Sequence, residues 1–517
     1  MSAYQQLSSL FQRLFHYEHL GAMAGWDQLT MMPTGGSDAR AEAMAELEVL
    51  MHRTLTAPEV GEWLASADAE SLDDAQRANL REMHRAWHDA VVLPERLVEA
   101  RSLAGARCEQ AWRRQRPDND WAGFADNLRE VVRLSREEAT IRAEATGTSR
   151  YEALLNKFEP DMNVTELDRL FNDLRDGLPG LLAQVVERQR SSPAHTPEGP
   201  FDIEAQRRLG QETMRRLGFD FEHGRLDVSL HPFCGGVPED VRLTTRYRED
   251  ECLSSLMGII HETGHARYEQ NLPAPWRGQP LGRARSMSIH ESQSLTFEMQ
   301  LGRSEAFVRQ LAPQLVAHFG NRPGFEVDNL VRLAQRVEPG LIRVDADEVS
   351  YPAHILLRYE IERALIEGEI EVDDIPALWD EKMQHYLGLE TRGNYRDGPM
   401  QDIHWTDGSF GYFPTYSLGA MLAAQLMAAV RRDHPELDER LAAGEPGILF
   451  DWLKAQIWQQ GSRFETPELI RRATGEPLDA GYYRRHLESR YLGEPAGRSG
   501  GVAKRAHQPI GSGNEDD

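Results

Sequence analysis

Ile260-His261-Glu262-Thr263-Gly264-His265-Ala266 is the stretch on which the reading of this chain turns. On an α-helix, two histidines four residues apart lie on one face, one turn apart. Their imidazole nitrogens can then share one Zn²⁺, and Glu262, next to the first histidine, is placed to act as general base toward a water at that metal. Upstream, Leu253, Leu256, Met257, Ile259 and Ile260 recur at helical spacing, so the helix is expected to be buried. A buried helix carries two histidines and a glutamate at a cost unless they have a use. With 18 histidines in 517 residues, the pattern alone leaves an incidental pair on a polar helix face as an equal alternative. The rest of the chain has to decide.

A catalytic zinc needs a third protein ligand and an open position. Downstream, Ser288-Ile289-His290-Glu291-Ser292-Gln293-Ser294-Leu295-Thr296-Phe297-Glu298 reads as a second helix. Glu291 and Glu298, seven residues apart, share one of its faces. Glu291 can ligate the metal, and Glu298 can orient a ligand histidine through its free N–H. Two glutamates on a helix are usually just solvated, so this pair is weak by itself.

Just before the first of these helices the texture changes. Phe219-Asp220-Phe221, Arg225-Leu226-Asp227-Val228-Ser229-Leu230 and Val241-Arg242-Leu243-Thr244-Thr245-Arg246-Tyr247 alternate in the manner of strands. An edge strand there could hold an extended peptide by main-chain hydrogen bonds; a small hairpin without a ligand fits as well. Residues 1 to about 190 read as a succession of long helices, beginning with a stripe at Leu7, Leu10, Phe11, Leu14, Phe15 and Tyr17. Trp26-Asp27-Gln28-Leu29-Thr30-Met31-Met32-Pro33-Thr34-Gly35-Gly36 breaks that stripe, and Asn163-Val164-Thr165-Glu166 reads as a capping box. Residues 417–491 return to helical periodicity, and from about residue 493 Gly, Ser and charged residues predict a disordered tail.

Composition narrows the class. A formal net charge of −25 argues against nucleic acid or an anionic membrane surface as partner. No apolar run reaches the roughly 18 residues of a membrane span. The first six residues lack the basic and apolar regions of an export signal, and Cys108, Cys234 and Cys252 form no disulfide framework. Both points fit a reducing cytoplasm.

Six ordered blocks make the chain resemble the carboxypeptidase Taq family of metallocarboxypeptidases over nearly its whole length. His231-Pro232-Phe233 matches HPF, Asp240-Val241-Arg242-Leu243-Thr244 matches DxRxT, and His261 to His265 matches HExxH. His290 to Glu298 matches HES(M/Q)SxxxE, and Ile342-Arg343-Val344-Asp345-Ala346-Asp347 matches IRxxAD. Gly398-Pro399-Met400-Gln401-Asp402-Ile403-His404-Trp405 matches GxxQDxHW, and the Trp26 to Gly36 stretch is also similar to the family's. One departure is visible: Leu295-Thr296-Phe297 stands where the family commonly has Arg-Leu-Trp.

The resemblance implies zinc ligation by His261, His265 and Glu291, with Glu262 as general base and acid, in agreement with the reading from the residues. Co²⁺ or Mn²⁺ could stand in place of Zn²⁺. An exopeptidase must also bind a terminal carboxylate, for which arginine is the natural partner. Arg343 is the first choice by resemblance, against an Arg343–Asp347 ion pair on a helix; Arg242 is the alternative, closing the end of the groove. Tyr412, by analogy with related zinc dipeptidyl carboxypeptidases, and His404 are the candidates for oxyanion stabilisation. Tyr416 is the fallback for that role and, with Gln401, completes the substrate side, Gln401 and Asp402 being read chiefly as supports of His404.

The expected fold is mainly α, a large helical single-domain peptidase with a small β-sheet beside a deep active-site groove. Residues 1–492 form its helical metallocarboxypeptidase domain (1–200 the N-terminal helical part, 201–492 the catalytic part), and 493–517 the tail. The expected activity is zinc-dependent removal of single amino acids from the free C-terminus of short peptides, with broad specificity and poor action at proline. By resemblance the enzyme is a cytoplasmic homodimer. A zinc endo-oligopeptidase or dipeptidyl carboxypeptidase is the alternative, and a helical binding protein with a relict site is a more distant one.

Overall fold

The apolar stripes of the N-terminal part fold as helices Ala3–Thr30, Ser37–Leu55, Pro58–Ala67, Asp74–Val91, Glu95–Gln115, Trp121–Thr146, Arg150–Phe158 and Val164–Gln189 in the computed structural model, which describes residues 1–229 and 232–493. The first helix opens on a reciprocal capping box between Ser2 and Gln5. It runs through Trp26 to Thr30, further than expected, and ends only where Pro33 removes a backbone donor. Asn163 forms half of its expected capping box, accepting from the Glu166 N–H at 2.8 Å.

Two cores result. Tyr4, Leu7, Leu10, Phe11 and Leu14 pack with Val60, Leu64, Leu80 and Met83 in a satellite cluster. A continuous core extends from Cys108 and Trp112 through Ile260 and Ile289 to Tyr491. After Gly493 the expected tail falls outside the described residues, as do Leu230 and His231 of the HPF block. No helix among the described residues is long and apolar enough to cross a membrane.

The sheet has three strands in the order β1-β3-β2. Strand β1 (Gly224–Val228) pairs parallel with β3 (Asp240–Thr245), Leu226 opposite Leu243. Strand β2 (Cys234–Val237) pairs antiparallel, Cys234 opposite Leu243. Sequence patterning misses β2 because Gly235-Gly236 has no strand propensity. Gly236 sits at φ +96°, where a Cβ would meet the Asp240 carbonyl oxygen at 2.1 Å, so only glycine lets this strand lie against the next. Phe219-Asp220-Phe221, expected as a strand, is instead a turn in which Asp220 accepts from the Glu222 N–H at 2.9 Å.

Val241 and Leu243 of β3 pack on Ile259 and Ala266 of the HExxH helix, Leu253–Gln270. That helix lacks an N-cap side chain of its own; the Glu251 carboxylate accepts from the N–H groups of Leu253 and Ser254 at 2.7 and 2.9 Å. A second helix, Met287–Leu295, is capped by Ser286 and widens into a π-helical segment, Thr296–Gly302. The two helices cross at Gly264, where a Cβ would lie 2.6 Å from the Gln293 carbonyl oxygen and the Ser294 Cα. A third helix, Pro414–Asp433, seats Gly419 against Glu291. Glycine at both crossings lets the backbones approach, and this brings residues from distant parts of the chain to one point.

Candidate active site

His261 and His265 project one turn apart from the Leu253–Gln270 helix, and Glu291 faces them from Met287–Leu295. Their ligating atoms all lie within 4.8 Å of one another. His265 Nε2 is 3.3 Å from one Glu291 carboxylate oxygen, and His261 Nε2 is 3.9 Å from the other. The His261 and His265 side chains keep 21% and 14% exposure, so the trio opens to solvent instead of being sealed in the core. Two imidazoles and a carboxylate at this spacing fit a divalent metal with a position left open.

Each imidazole is held on its far side. His261 Nδ1 lies 3.0 Å from Glu298, whose other oxygen accepts from Arg303 at 2.8 Å. Glu298 thus occupies the orienting place that its spacing from Glu291 suggested. Burial opposes its ionisation, but Arg303 and His261 outweigh this and hold its pKa down at about 2. His265 Nδ1 instead meets His290 Nδ1 at 2.6 Å, and His290 Nε2 meets Glu269 at 2.8 Å.

Burial is the main reason the Glu262 carboxyl is pushed up to about 7, with Glu291 adding to the effect. The same burial lowers His265 to about 4. For His261 burial acts the same way, but Glu291, the hydrogen bond to Glu298 and Glu262 reverse it and raise this imidazole to about 10. Burial, with the charges of Glu262 and Glu269 adding to it, pushes the thiol of Cys234 on the edge strand β2 well above the usual range. Strand β2 packs against the HExxH helix.

A second group gathers Arg343, Asp402, His404, Tyr412 and Tyr416. Asp402 takes Arg343 on one oxygen (Nε 2.9 Å, Nη2 2.8 Å) and Arg358 on the other (Nε 2.7 Å, Nη2 2.6 Å). Arg343 also donates to the Tyr351 hydroxyl at 2.6 Å and lies over the Tyr416 ring, 4.9 Å from its centroid. The Arg343–Asp347 ion pair does not form: residues 343–345 are a 3₁₀ turn, and Asp347 accepts from the N–H groups of Val349 and Ser350. Tyr416 stands on the Pro414–Asp433 helix, whose Gly419 packs against Glu291, and this sets the group beside the trio.

The remaining assignments separate. Tyr416 is tied up, its hydroxyl 3.0 Å from His404 Nε2, whereas His404 Nδ1 is buried without a partner. Gln401 and Asp402 do not hydrogen-bond His404 as expected. The Gln401 amide is spent on backbone, accepting from the Arg343 N–H at 2.7 Å and donating to the carbonyls of Leu341 and Asp397. Arg242 shares no bond with this group; it pairs with Asp240 (2.6 and 2.8 Å) and lies 4.7 Å from the Trp26 ring centroid. Tyr351, Arg358, His290 and Glu269 were not singled out from sequence. A lone cation in the apolar run Ile355-Leu356-Leu357-Arg358-Tyr359 was the one signal available for Arg358.

A family model described as carboxypeptidase Taq (M32) metallopeptidase matches residues 6–491. Thermostable carboxypeptidase 1 of Thermus thermophilus is 40% identical over 503 residues, covering 95% of this chain and 98% of that protein. Carboxypeptidase 1 of Bacillus subtilis is 34% identical over 495 residues, covering 94% and 97%. Among solved structures, Trypanosoma cruzi metallocarboxypeptidase 1 aligns with a TM-score of 0.91 at 50% identity, covering 95% of this chain and 99% of that one. With a candidate two-histidine, one-glutamate metal site inside a fold shared from end to end, the chain belongs to the carboxypeptidase Taq (M32) metallopeptidase family and is a metallocarboxypeptidase.

Proposed function

We propose that this metallocarboxypeptidase is zinc-dependent and removes single amino acids from the free C-terminus of short peptides, with broad side-chain tolerance and poor action at proline. The observation that carries the terminal-carboxylate reading is the Arg343–Asp402–Arg358 triad: one carboxylate serves two guanidiniums. Both arginines are buried, at 5% and 0% exposure, so one positive charge is left over close to the metal-ligand trio. A substrate carboxylate is its natural counter-charge.

His261, His265 and Glu291 would hold the cation. When bound, it supplies Lewis acidity that acidifies water and polarises the scissile carbonyl. Glu262, with a pKa raised to about 7, can take a proton from the attacking water and pass it to the leaving amine. The Tyr412 hydroxyl is the favoured donor to the developing oxyanion, because Tyr416 is engaged by His404; His404 keeps Nδ1 for the same service. The edge of β2, which packs against the HExxH helix, is suited to hold the peptide backbone. Residues 1–492 are proposed to work as one unit, supported by the continuous core from Cys108 to Tyr491. A cytoplasmic homodimer is proposed from the family resemblance.

Mass spectrometry of one N-terminally blocked peptide, with free and amidated C-termini incubated side by side, tests the reading. Single-residue ladders from the free acid only, abolished by a chelator and restored by zinc, are expected. Internal cuts, dipeptide release or equal cleavage of the amide would replace this assignment with an endo-oligopeptidase or dipeptidyl carboxypeptidase.

A further inference from the structure

The two histidines of the metal trio are supported in different ways. His261 leans directly on Glu298, a carboxylate already neutralised by Arg303. His265 leans on an imidazole, His290, which leans in turn on Glu269. We propose that His290 and Glu269 are positioning residues that set the tautomer and orientation of His265 for metal binding. This rests on the reading of His265 as a metal ligand.

The chain of bonds has one consistent direction. His265 turns Nε2 toward Glu291, so coordination uses the Nε2 lone pair and leaves the proton on Nδ1. At 2.6 Å that N–H has one acceptor, His290 Nδ1, which must therefore be unprotonated. A neutral His290 then carries its proton on Nε2, 2.8 Å from the Glu269 carboxylate, which can only accept. Each hydrogen bond fixes the next. If Glu269 is removed, His290 is free to move its proton to Nδ1, and two N–H groups then point at each other across 2.6 Å. His265 must then turn away.

Glu269 is suited to this end of the chain. It stands one turn beyond His265 on the same helix, its side chain 26% exposed, and no Lys or Arg among the described residues lies within 4 Å of it. Its charge is thus directed at His290 instead of being spent on a surface ion pair. Partners of this kind beyond the ligands are worth roughly 10- to 100-fold in metal affinity.

The test uses the full chain, stripped of metal, with zinc affinity read by competition against a chromophoric chelator and thermal unfolding of each metal-free protein measured in parallel. Glu269→Ala and His290→Phe are expected to weaken zinc binding by roughly 10- to 100-fold with metal-free stability unchanged. Glu269→Gln, which keeps an oxygen acceptor for His290 Nε2, should recover most of the affinity. A merely structural role would not show that recovery. If His290→Phe fails to fold, Glu269→Ala decides alone, since among the described residues Glu269 hydrogen-bonds no side chain but His290. Wild-type affinity in Glu269→Ala, with zinc lost in His265→Ala, would overturn the relay and leave the ligand assignment standing. Wild-type affinity in His265→Ala would remove the assignment on which the relay depends.

Discussion

Gly419→Ala puts the packing argument for the metal site at risk. Helix propensity alone favours the change, since alanine is about 0.8–1.0 kcal/mol better than glycine inside a helix. The structure predicts the opposite sign. A Cβ on Gly419 would lie 2.7 Å from both Cβ and Cγ of Glu291 and 3.2 Å from its carbonyl carbon. Carbon atoms pack at about 3.5–4.0 Å, so the shortfall is about 1 Å. Overpacking of this kind costs about 1–3 kcal/mol, which after the propensity gain leaves roughly 0–2 kcal/mol of net destabilisation. The larger effect falls on function: Glu291 is the atom group displaced, and a 1 Å error at a reacting centre costs on the order of 10²-fold. Zinc affinity and kcat/KM should therefore fall far more than Tm. Gly258→Ala on the HExxH helix is the control: nothing lies within 4 Å of its added Cβ, so it should gain up to about 1 kcal/mol and keep full activity. Gly419→Ala with wild-type zinc affinity and kcat/KM would refute the claim that this helix crossing sets the position of Glu291.

Three further outcomes follow from the same geometry. Glu262→Gln should cut kcat by roughly 10²- to 10⁴-fold while zinc stays bound, whereas Glu291→Ala should lose metal as well, both read by metal analysis of the purified protein beside the activity assay. Arg343→Ala should cost at least 2–5 kcal/mol in transition-state binding of the free-acid peptide, on the order of 30-fold or more in kcat/KM, and erase its preference over the amide; a preserved preference would move carboxylate recognition elsewhere. Glu138 is fully buried among Lys157, Arg101 and Arg142, which outweigh the cost of burial and hold its pKa down at about 2. A depressed carboxylate contributes stability that is present above its ordinary pKa and lost as pH falls, here between about pH 4.5 and 2. Glu138→Gln should lose about 3–5 kcal/mol at pH 7 in denaturant melts and flatten this acid limb, because three cations are left facing a neutral amide.

Much of the site was legible because it is local. His261 and His265 are brought together by the 3.6-residue turn of one helix, and Glu291 and Glu298 share a face for the same reason. The mainly helical fold follows from apolar stripes that persist along the chain. Even the strands β1 and β3 announce themselves by alternation, whereas β2 does not, since its pairing depends on what glycine permits at Gly236.

What tertiary structure alone decided involves partners far apart in sequence. Arg343 meets Asp402 across 59 residues, and Arg358 approaches the same carboxylate from a different helix. The nearer acid, Asp347, is consumed by backbone N–H groups. Spacing cannot choose between Asp347 and Asp402 for Arg343, because the choice depends on which backbone donors are left unpaired once the loops pack. In the same way, His404 claims the hydroxyl of Tyr416, and His290 reaches His265 only because the helices close at Gly264. The sequence by itself pointed to the helical scaffold and to His261, His265 and Glu291 as candidate metal residues, the two histidines through the turn of one helix and Glu291 through the block it shares with the family. Folding decided which charge pairs with which, since burial makes every unpaired polar group costly and only the packed chain shows where the partners are.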